Sequence, residues 1–217
     1  MAIELEQRAI VPDILAQKIV RQLDRLSIPE APEFRFTLVN LPNGRFAQDV
    51  ANKIDIKLRT NGKLGRLTVK EGSWHSDAAR IEREVFFQHR EFAAYLSILV
   101  CLKKYYWIAM YTRRMMYRTE RLIYTIDEHY FSGDRILEIE ALQDSKDHQE
   151  VEKEINGALS GLGLRAADSR QTRALITRLN RVRKSRIDFK RNSVDAFIRD
   201  FCEFVDCKFR WHHPASK

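Results

Sequence analysis

The chain has 217 residues, of which 44% are hydrophobic and 31% are charged, a composition typical of a soluble globular protein. Its 8 glycines and 5 prolines are too few for a collagen-like or disordered chain. The formal net charge of +8 favours anionic partners such as nucleotides, polyphosphate or nucleic acid. The 3 cysteines, Cys101, Cys202 and Cys207, form no C-x-x-C pair, so neither a zinc site nor a disulfide framework is expected.

The sequence gives no sign of secretion or membrane insertion. Its N-terminal residues lack the basic and apolar regions of a signal peptide. The most apolar stretch, residues 92–107, contains Lys103 and Lys104 and is too short to span a bilayer. We therefore expect a cytoplasmic protein without membrane association.

The first half of the chain mixes strand and helix patterns. Residues 3–8 alternate as a strand, with Glu4, Glu6 and Arg8 on one face. Pro12-Asp13 opens a predicted helix with apolar positions at Ile14, Leu15, Ile19, Leu23 and Leu26. Asn61-Gly62 is a strong turn signal. Further strands are predicted over residues 34–39, 55–59, 66–70 and 80–86.

The second half ends in helices. A helix over residues 91–104 is predicted to bury Phe92, Tyr95, Leu96, Leu99 and Leu102. Strands follow over residues 105–118, 121–127 and 135–142. The next helical stripe consists of Val151, Ile155, Leu159 and Leu162 and is closed by Gly163. Asp168 and Ser193 are predicted N-caps of two more helices, the second carrying Phe197, Phe201 and Phe204.

Charged residues spaced two apart recur on five predicted strands. They are Glu4/Glu6/Arg8, Lys57/Arg59, Arg66/Lys70, Glu82/Glu84 and Glu138/Glu140. Any single pair is most simply a solvated sheet face. Five in one domain favour a closed antiparallel barrel, in which the charged faces meet in the lumen. Clustered carboxylates suit Mg²⁺ or Mn²⁺ and clustered bases suit phosphate oxygens, the combination that phosphoryl transfer requires.

The same pieces resemble, in order, the motifs of the CYTH superfamily, the triphosphate tunnel metalloenzymes, which include thiamine triphosphatases and class IV adenylyl cyclases. Residues 3–8 resemble its E-x-E-x-K signature, and residues 57–70 resemble its R-x-R hairpin. Residues 80–84 resemble its R-x-E-x-E strand. Residues 114–117 resemble the later basic strand, and residues 127–141 resemble the closing D…G…E-I-E-A segment.

The resemblance implies an α+β fold, an eight-stranded antiparallel β-barrel tunnel with surrounding helices. It covers the chain from Ile3 to about Leu164, so we expect a tunnel domain over residues 1–165. Residues 166–217 are expected to form a basic helical C-terminal extension that packs on or near the barrel.

The resemblance also implies roles for individual residues. The metal ligands would be Glu4, Glu6 and Glu140, with Glu138 adjacent, and the metal would be Mg²⁺ or Mn²⁺. The triphosphate would be bound by Arg8, Lys57, Arg59, Lys70 and Arg114. The implied catalytic set is Glu4, Glu6, Arg8, Glu138 and Glu140, and the other tunnel acids are Glu82, Glu84 and Asp127.

The sequence departs from the family pattern in its first strand. Arg8 replaces the family lysine, and because arginine is bulkier and always protonated, turnover or substrate choice is expected to change. Strand parity allows either Arg113 or Arg114 to face inward, and the fit with Tyr117 favours Arg114. His129 is expected to be incidental to metal binding.

The implied activity is metal-dependent hydrolysis of a triphosphate, whether inorganic, nucleoside, thiamine or RNA 5′-triphosphate. The first alternative is a class IV-type adenylyl cyclase, which would form cyclic AMP from ATP. The second alternative is a tunnel that binds a nucleotide or polyphosphate without turnover, which Arg8 in place of lysine would suit.

The C-terminal region is rich in bases: Arg170, Arg173, Arg178, Arg181, Arg183, Lys184 and Arg186. A basic helix can bind a phosphate backbone, so nucleic acid is one predicted partner. The other interpretation is a solvated helix face whose apolar side packs on the barrel. The sequence predicts no particular oligomeric state.

Overall fold

The computed structural model describes residues 6–41, 54–71, 81–142, 148–181 and 186–201. Several residues named above lie outside the described residues. They are Glu4, Arg80 and, within residues 202–217, Cys202, Phe204 and Cys207. The chain divides into two compact units. The first unit comprises Met1–Glu33 and Thr112–Arg181, and the second comprises Phe34–Tyr111 and Val182–Lys217. The predicted domain boundary near residue 165 stays a prediction.

The secondary structure follows the sequence patterns closely. In the first half, the elements are β1 (Glu6–Val11), α1 (Asp13–Leu26), β2 (Glu33–Asn40), β3 (Ile54–Thr60), β4 (Leu64–Glu71), β5 (Ile81–Gln88), a 3₁₀ turn (His89–Glu91) and α2 (Phe92–Cys101). In the second half, they are β6 (Tyr106–Arg118), β7 (Leu122–His129), β8 (Arg135–Ala141), α3 (His148–Gly161), α4 (Ser169–Arg181), β9 (Arg186–Asp188) and α5 (194–201).

Hydrogen bonding joins eight strands into one antiparallel sheet. Their order is β1-β8-β7-β6-β2-β3-β4-β5, and β9 pairs with β6 outside this path. The predicted α+β class, with eight antiparallel strands and helices, is confirmed. The path of paired strands begins at β1 and ends at β5, so among the described strands the hydrogen bonding does not close the sheet into the predicted barrel. No helix among the described residues is long and apolar enough to cross a membrane.

In the first unit, one face of the sheet packs against α1 and α3. Its buried residues are Ala9, Val11, Tyr117, Leu122, Tyr124, Ile126, Leu137 and Ile139, and the helices contribute Ile19, Leu23, Val151, Ile155 and Leu159. The predicted α3 stripe is confirmed. Because side chains alternate along a strand, the residues between these buried strand positions lie on the opposite face of the sheet.

Two predicted α1 core positions are wrong. Ile14 is 90% exposed and Leu26 is 57% exposed. Ile14 lies about 140° around the helix from buried Ile19, since successive residues are about 100° apart. Leu26 is the last residue of α1.

In the second unit, the core joins the sheet to α2 and α5. Its buried residues include Phe36, Leu38, Leu58, Phe92, Leu96, Leu99, Trp107 and Phe201. The ring of Phe201 lies 4.2 Å from that of Phe36 and 5.3 Å from that of Phe92, measured between centroids.

The predicted end of α2 is wrong. The helix stops at Cys101 instead of residue 104, and Leu102 is 64% exposed. Lys103 has a φ of 63°, in the left-handed region, which ends the helical path.

Both predicted C-terminal N-caps are confirmed. Asp168 Oδ1 accepts a hydrogen bond from the Gln171 backbone N–H at 2.7 Å, and Ser193 Oγ accepts one from the Ala196 backbone N–H at 3.4 Å.

Candidate functional site

The first unit carries a charged sheet face opposite its core. In the β1–β8 pair, Glu6 lies across from Glu140 and Arg8 lies across from Glu138. Ala9 and Ile139, which adjoin these residues in sequence, are buried against the helices. The four charged residues therefore share the face that points away from α1 and α3. Glu6, Glu138 and Glu140 therefore share a face, while the placement of Glu4 lies outside the described residues.

Arg8 contacts two of these carboxylates at once. Its Nε donates to Glu138 Oε1 at 2.6 Å, and its Nη2 donates to Glu6 Oε1 at 2.5 Å. Burial lowers the pKa of Arg8, but the charges of Glu138 and Glu6 outweigh burial, and the pKa is raised overall. The guanidinium therefore stays charged and acts as a bridge between β1 and β8.

Arg114 extends this arrangement across β7. It pairs with Asp127 through both carboxylate oxygens, with Nε to Oδ1 at 2.7 Å. Its Nη2 also lies 3.6 Å from Glu138 Oε2. Burial lowers the pKa of Arg114, but Asp127 and Glu138 raise it above its usual value. As the fit with Tyr117 predicted, Arg114 lies on the charged face, whereas Arg113 lies on the helix side.

Together these side chains form a continuous line of alternating charge, which we name the carboxylate–guanidinium row: Glu6, Arg8, Glu138, Arg114 and Asp127. Glu138 is its centre, since it accepts from one arginine and faces a second. Pairing of this kind offsets the cost of desolvating each charge.

His129 lies on the same face as Asp127, two residues along β7. Its side chain is buried, with 9% of its surface exposed. Burial lowers its pKa, although Asp127, Asp134 and Glu138 act in the opposite direction. His129 was predicted to be incidental because adjacent strand residues point to opposite faces, and Glu128 does face the other side.

The expected metal ligands are only partly described. Glu6 and Glu140 lie opposite each other on β1 and β8, and their carboxylates are hard oxygen donors of the kind that Mg²⁺ and Mn²⁺ prefer. The third expected ligand, Glu4, lies outside the described residues. Within the described ranges, no group of three or more His, Cys, Asp or Glu is arranged to hold a metal ion.

The second unit has a charged sheet face of its own. The registers of β3, β4 and β5 place its members on the face opposite Leu58 and Phe87: Asp55, Lys57, Arg59, Arg66, Thr68, Lys70, Glu82 and Glu84. This set includes all five site residues predicted in this unit: Lys57, Arg59, Lys70, Glu82 and Glu84. Their shared face follows from the two-residue period of a strand.

Cross-strand ion pairs order this second face. Lys70 Nζ lies 2.5 Å from Glu82 Oε2, and Arg66 Nη1 lies 3.0 Å from Glu84 Oε1. Burial raises the pKa of Glu82, but the hydrogen bond and charge of Lys70 lower it further, so the pKa falls overall. Each of these acids on β5 therefore neutralises a base on β4.

Asp55 is a member of this face that the sequence analysis missed. Only 4% of its side chain is exposed, and its Oδ2 lies 3.3 Å from Lys57 Nζ. Asp55 also lies across from Lys70 in the β3–β4 register. The alternation of apolar and charged residues in β3 was a signal for it, since Asp55, Lys57 and Arg59 are two residues apart.

The basic C-terminal helix uses one of its arginines within the first unit. Arg178 on α4 donates from Nε to Asp134 Oδ2 at 3.0 Å, and its Nη2 contacts the other oxygen of that carboxylate. The predicted nucleic-acid contact of this helix stays a prediction.

Sequence comparisons give no match, while structural comparisons do. No family model matches the chain, and no curated protein matches it. The PH1819 protein of Pyrococcus horikoshii OT3 has a TM-score of 0.61 and 22% identity, over 81% of this chain and 98% of that one. A candidate adenylate cyclase from Bacillus halodurans has a TM-score of 0.58 and 14% identity, over 77% and 94%.

A third neighbour is HpAC1 from Hippeastrum, described as a candidate adenylyl cyclase with a dominant triphosphatase activity. It has a TM-score of 0.55 and 15% identity, over 81% of this chain and 96% of that one. At these identities the likeness shows the fold. The fold implied by the sequence resemblance is therefore shared with these solved structures.

Proposed function

We propose that the protein is a divalent-metal-dependent phosphohydrolase that acts on a triphosphate group. The observation that carries this proposal is the carboxylate–guanidinium row, with Glu140 lying across from Glu6 at its end. Acids that can hold a metal and arginines that can bind phosphate are adjacent on one face. The fold shared with HpAC1, whose description names a triphosphatase activity, supports the same class of reaction.

Glu6 and Glu140 are proposed metal ligands, together with Glu4, which lies outside the described residues. The carboxylate chemistry of this set fits Mg²⁺ or Mn²⁺. When bound, the cation would supply charge neutralisation and polarise the phosphate oxygens.

The two arginines of the row are proposed phosphate ligands. Arg114 is held by Asp127 and Glu138, which fixes the plane of its guanidinium before substrate binds. Arg8 is held in the same way by Glu6 and Glu138. Preorganised charges of this kind stabilise the charge that develops on phosphate oxygens in the transition state.

Three bases of the second unit, Lys57, Arg59 and Lys70, are also proposed to bind phosphate oxygens, on the basis of the hairpin motif in the sequence. Ion pairs and hydrogen bonds already orient them: Lys57 with Asp55, Lys70 with Glu82, and Arg59 Nε with Thr37 Oγ1 at 3.3 Å.

One observation favours a second candidate function, binding without turnover. Arg8 contacts Glu6, a proposed metal ligand, and therefore competes with a cation for the same oxygens. Even without a cation, the two arginines of this face could still donate hydrogen bonds to a polyphosphate. Cyclase chemistry would use the same charges and differs in its product.

The test is phosphate release from inorganic triphosphate, ATP and GTP with Mg²⁺ or Mn²⁺, with nucleotide products separated by chromatography. The variants are Glu6→Gln and Glu140→Gln, which keep shape and remove charge. The matched control is Glu152→Gln, which changes an exposed glutamate of α3. Mn²⁺ binding is measured separately by calorimetry.

We expect metal-dependent orthophosphate release that both site variants lose and the control keeps. Cyclic nucleotide as the main product would replace the hydrolase with a cyclase. Nucleotide binding with neither product would replace it with a binding protein. Release that survives both site variants would contradict the assignment of the row.

A further inference from the structure

A cavity of about 770 Å³ lies on the helix side of the first unit. One wall is α1, and the other is the face of β1, β6, β7 and β8 that lies opposite the carboxylate–guanidinium row. Its apolar lining consists of Val11, Ala16, Val20, Met115 and Ile126. Its volume falls within the range of about 300–1,000 Å³ that is usual for small-molecule sites.

The rim of this cavity is charged. Three guanidiniums line it, Arg21, Arg113 and Arg135, together with two carboxylates, Asp13 and Glu128. The rim therefore carries an excess of one positive charge. A ligand that brings one negative charge and an apolar body would match both the rim and the lining.

Arg135 is the group best placed to receive such a charge. It donates to Glu128 Oε1 at 2.6 Å and to Asp13 Oδ1 at 2.5 Å. The side chain of Asp13 is 89% exposed, so its ion pair with Arg135 is screened by water and weak. An incoming anion can replace Asp13 at little cost, whereas Glu128 keeps Arg135 in position.

We propose that this cavity is a second binding site, which takes a small organic anion with an apolar body and one carboxylate or sulfonate group. The apolar body would lie against the lining of the cavity, and the anionic group would accept charge-assisted hydrogen bonds from the rim arginines. The site shares β6 and β7 with the carboxylate–guanidinium row but lies on the other face of these strands, so its ligand need not resemble a triphosphate.

The test compares two fluorescent probes of similar shape that differ in charge. 1-Anilinonaphthalene-8-sulfonate is anionic, and N-phenyl-1-naphthylamine is neutral. Each is titrated against the full chain, with decanoate as a competitor. The variants are Arg135→Gln, the rim variant, which removes the guanidinium best placed to receive the anion, and Val20→Phe, which fills the cavity. The control is Arg165→Gln, an exposed arginine of the first unit that does not line the cavity.

We expect one equivalent of the anionic probe to bind, displaced by decanoate, and the neutral probe to bind about tenfold more weakly. The rim variant should lower the affinity for the anionic probe by about tenfold and leave the affinity for the neutral probe unchanged. Val20→Phe should abolish the binding of both probes, and the control variant should leave both affinities unchanged. Circular dichroism checks folding, and if Val20→Phe unfolds, the rim variant decides alone.

Several results would overturn the proposal. One is equal affinity for the two probes. Others are an anionic affinity that the rim variant does not change, or no saturable binding of the anionic probe.

Discussion

Arg8 and Glu138 lie across from each other on β1 and β8, with Arg8 Nε donating to Glu138 Oε1 at 2.6 Å. The same guanidinium also donates to Glu6 at 2.5 Å. Arg8 can do this because its planar fork presents several donors in fixed directions, which a lysine ammonium does not. Arg8, which stands where the motif that residues 3–8 resemble has a lysine, therefore links the proposed metal ligand Glu6 to the centre of the row.

We predict that Arg8→Lys raises metal-dependent phosphate release. Lysine keeps the positive charge but releases one of the two carboxylates, so Glu6 becomes available to a cation. A gain of about tenfold, equivalent to ~1.4 kcal/mol in the activation barrier, is expected. Initial rates over a Mn²⁺ titration measure it, with Arg165→Lys as the control. A lower rate in the variant would contradict the competition between Arg8 and the metal.

The packing of α5 gives a stability prediction. Phe201 is 5% exposed and contacts the rings of Phe36 and Phe92, so Phe201→Ala should cost about 3–4 kcal/mol in the free energy of unfolding. Phe86→Ala is the matched control, because Phe86 belongs to the same unit and is 67% exposed. Urea unfolding measures both. Equal losses would show that α5 does not contribute to this core.

A close approach between β4 and β5 gives a second stability prediction. A Cβ at Gly65 would lie 1.9 Å from the ring of Phe87, which is buried and stacks on Tyr95 at 4.2 Å. The ring has little room to move, so Gly65→Ala should destabilise the protein by about 1–3 kcal/mol. Adding Phe87→Leu should recover part of this loss in thermal unfolding.

The control for Gly65 is another glycine. Gly157 lies in α3, where a Cβ meets nothing within 4 Å. Gly157→Ala should stabilise the protein by about 0.5–1 kcal/mol, because alanine is the better helix former. A loss at Gly157 as large as that at Gly65 would contradict the steric explanation.

His129 gives a prediction on pH. Burial is the main reason that its pKa lies below the ordinary 6.5, against the opposing charges of Asp127, Asp134 and Glu138. Below pH 6.5 the unfolded chain binds a proton that the folded chain resists, so stability falls as pH drops towards the folded-state pKa. His129→Gln removes this contribution. Urea unfolding at about pH 7.5 and about pH 5.5 should show a smaller loss in the variant than in the parent; an unchanged loss would contradict it.

The sequence predicted the faces of the strands better than the partners within each face. Alternation alone placed Glu82 and Glu84 on one side of β5, and Lys70 on the matching side of β4. The register between paired strands determines which side chains contact each other. That register depends on residues distant in sequence. The ion pair between Lys70 and Glu82 is an example, because it depends on the register of β4 against β5.

The sequence was least informative where elements are short or end without a signal. β9 has three residues and is defined by its pairing with β6, which no local periodicity shows. The stop of α2 at Cys101 depends on Lys103 in a left-handed conformation, for which glycine or asparagine would have been the usual signal.

The charges around Glu138 have a consequence for the order of binding. The row and Glu140 together contain four carboxylates and two guanidiniums, so this face carries two net negative charges when all are ionised. A single divalent cation cancels that excess. Without it, the excess of negative charge weakens the attraction of the two arginines for a polyanion, so under the proposed function the apparent affinity for substrate should rise with metal concentration.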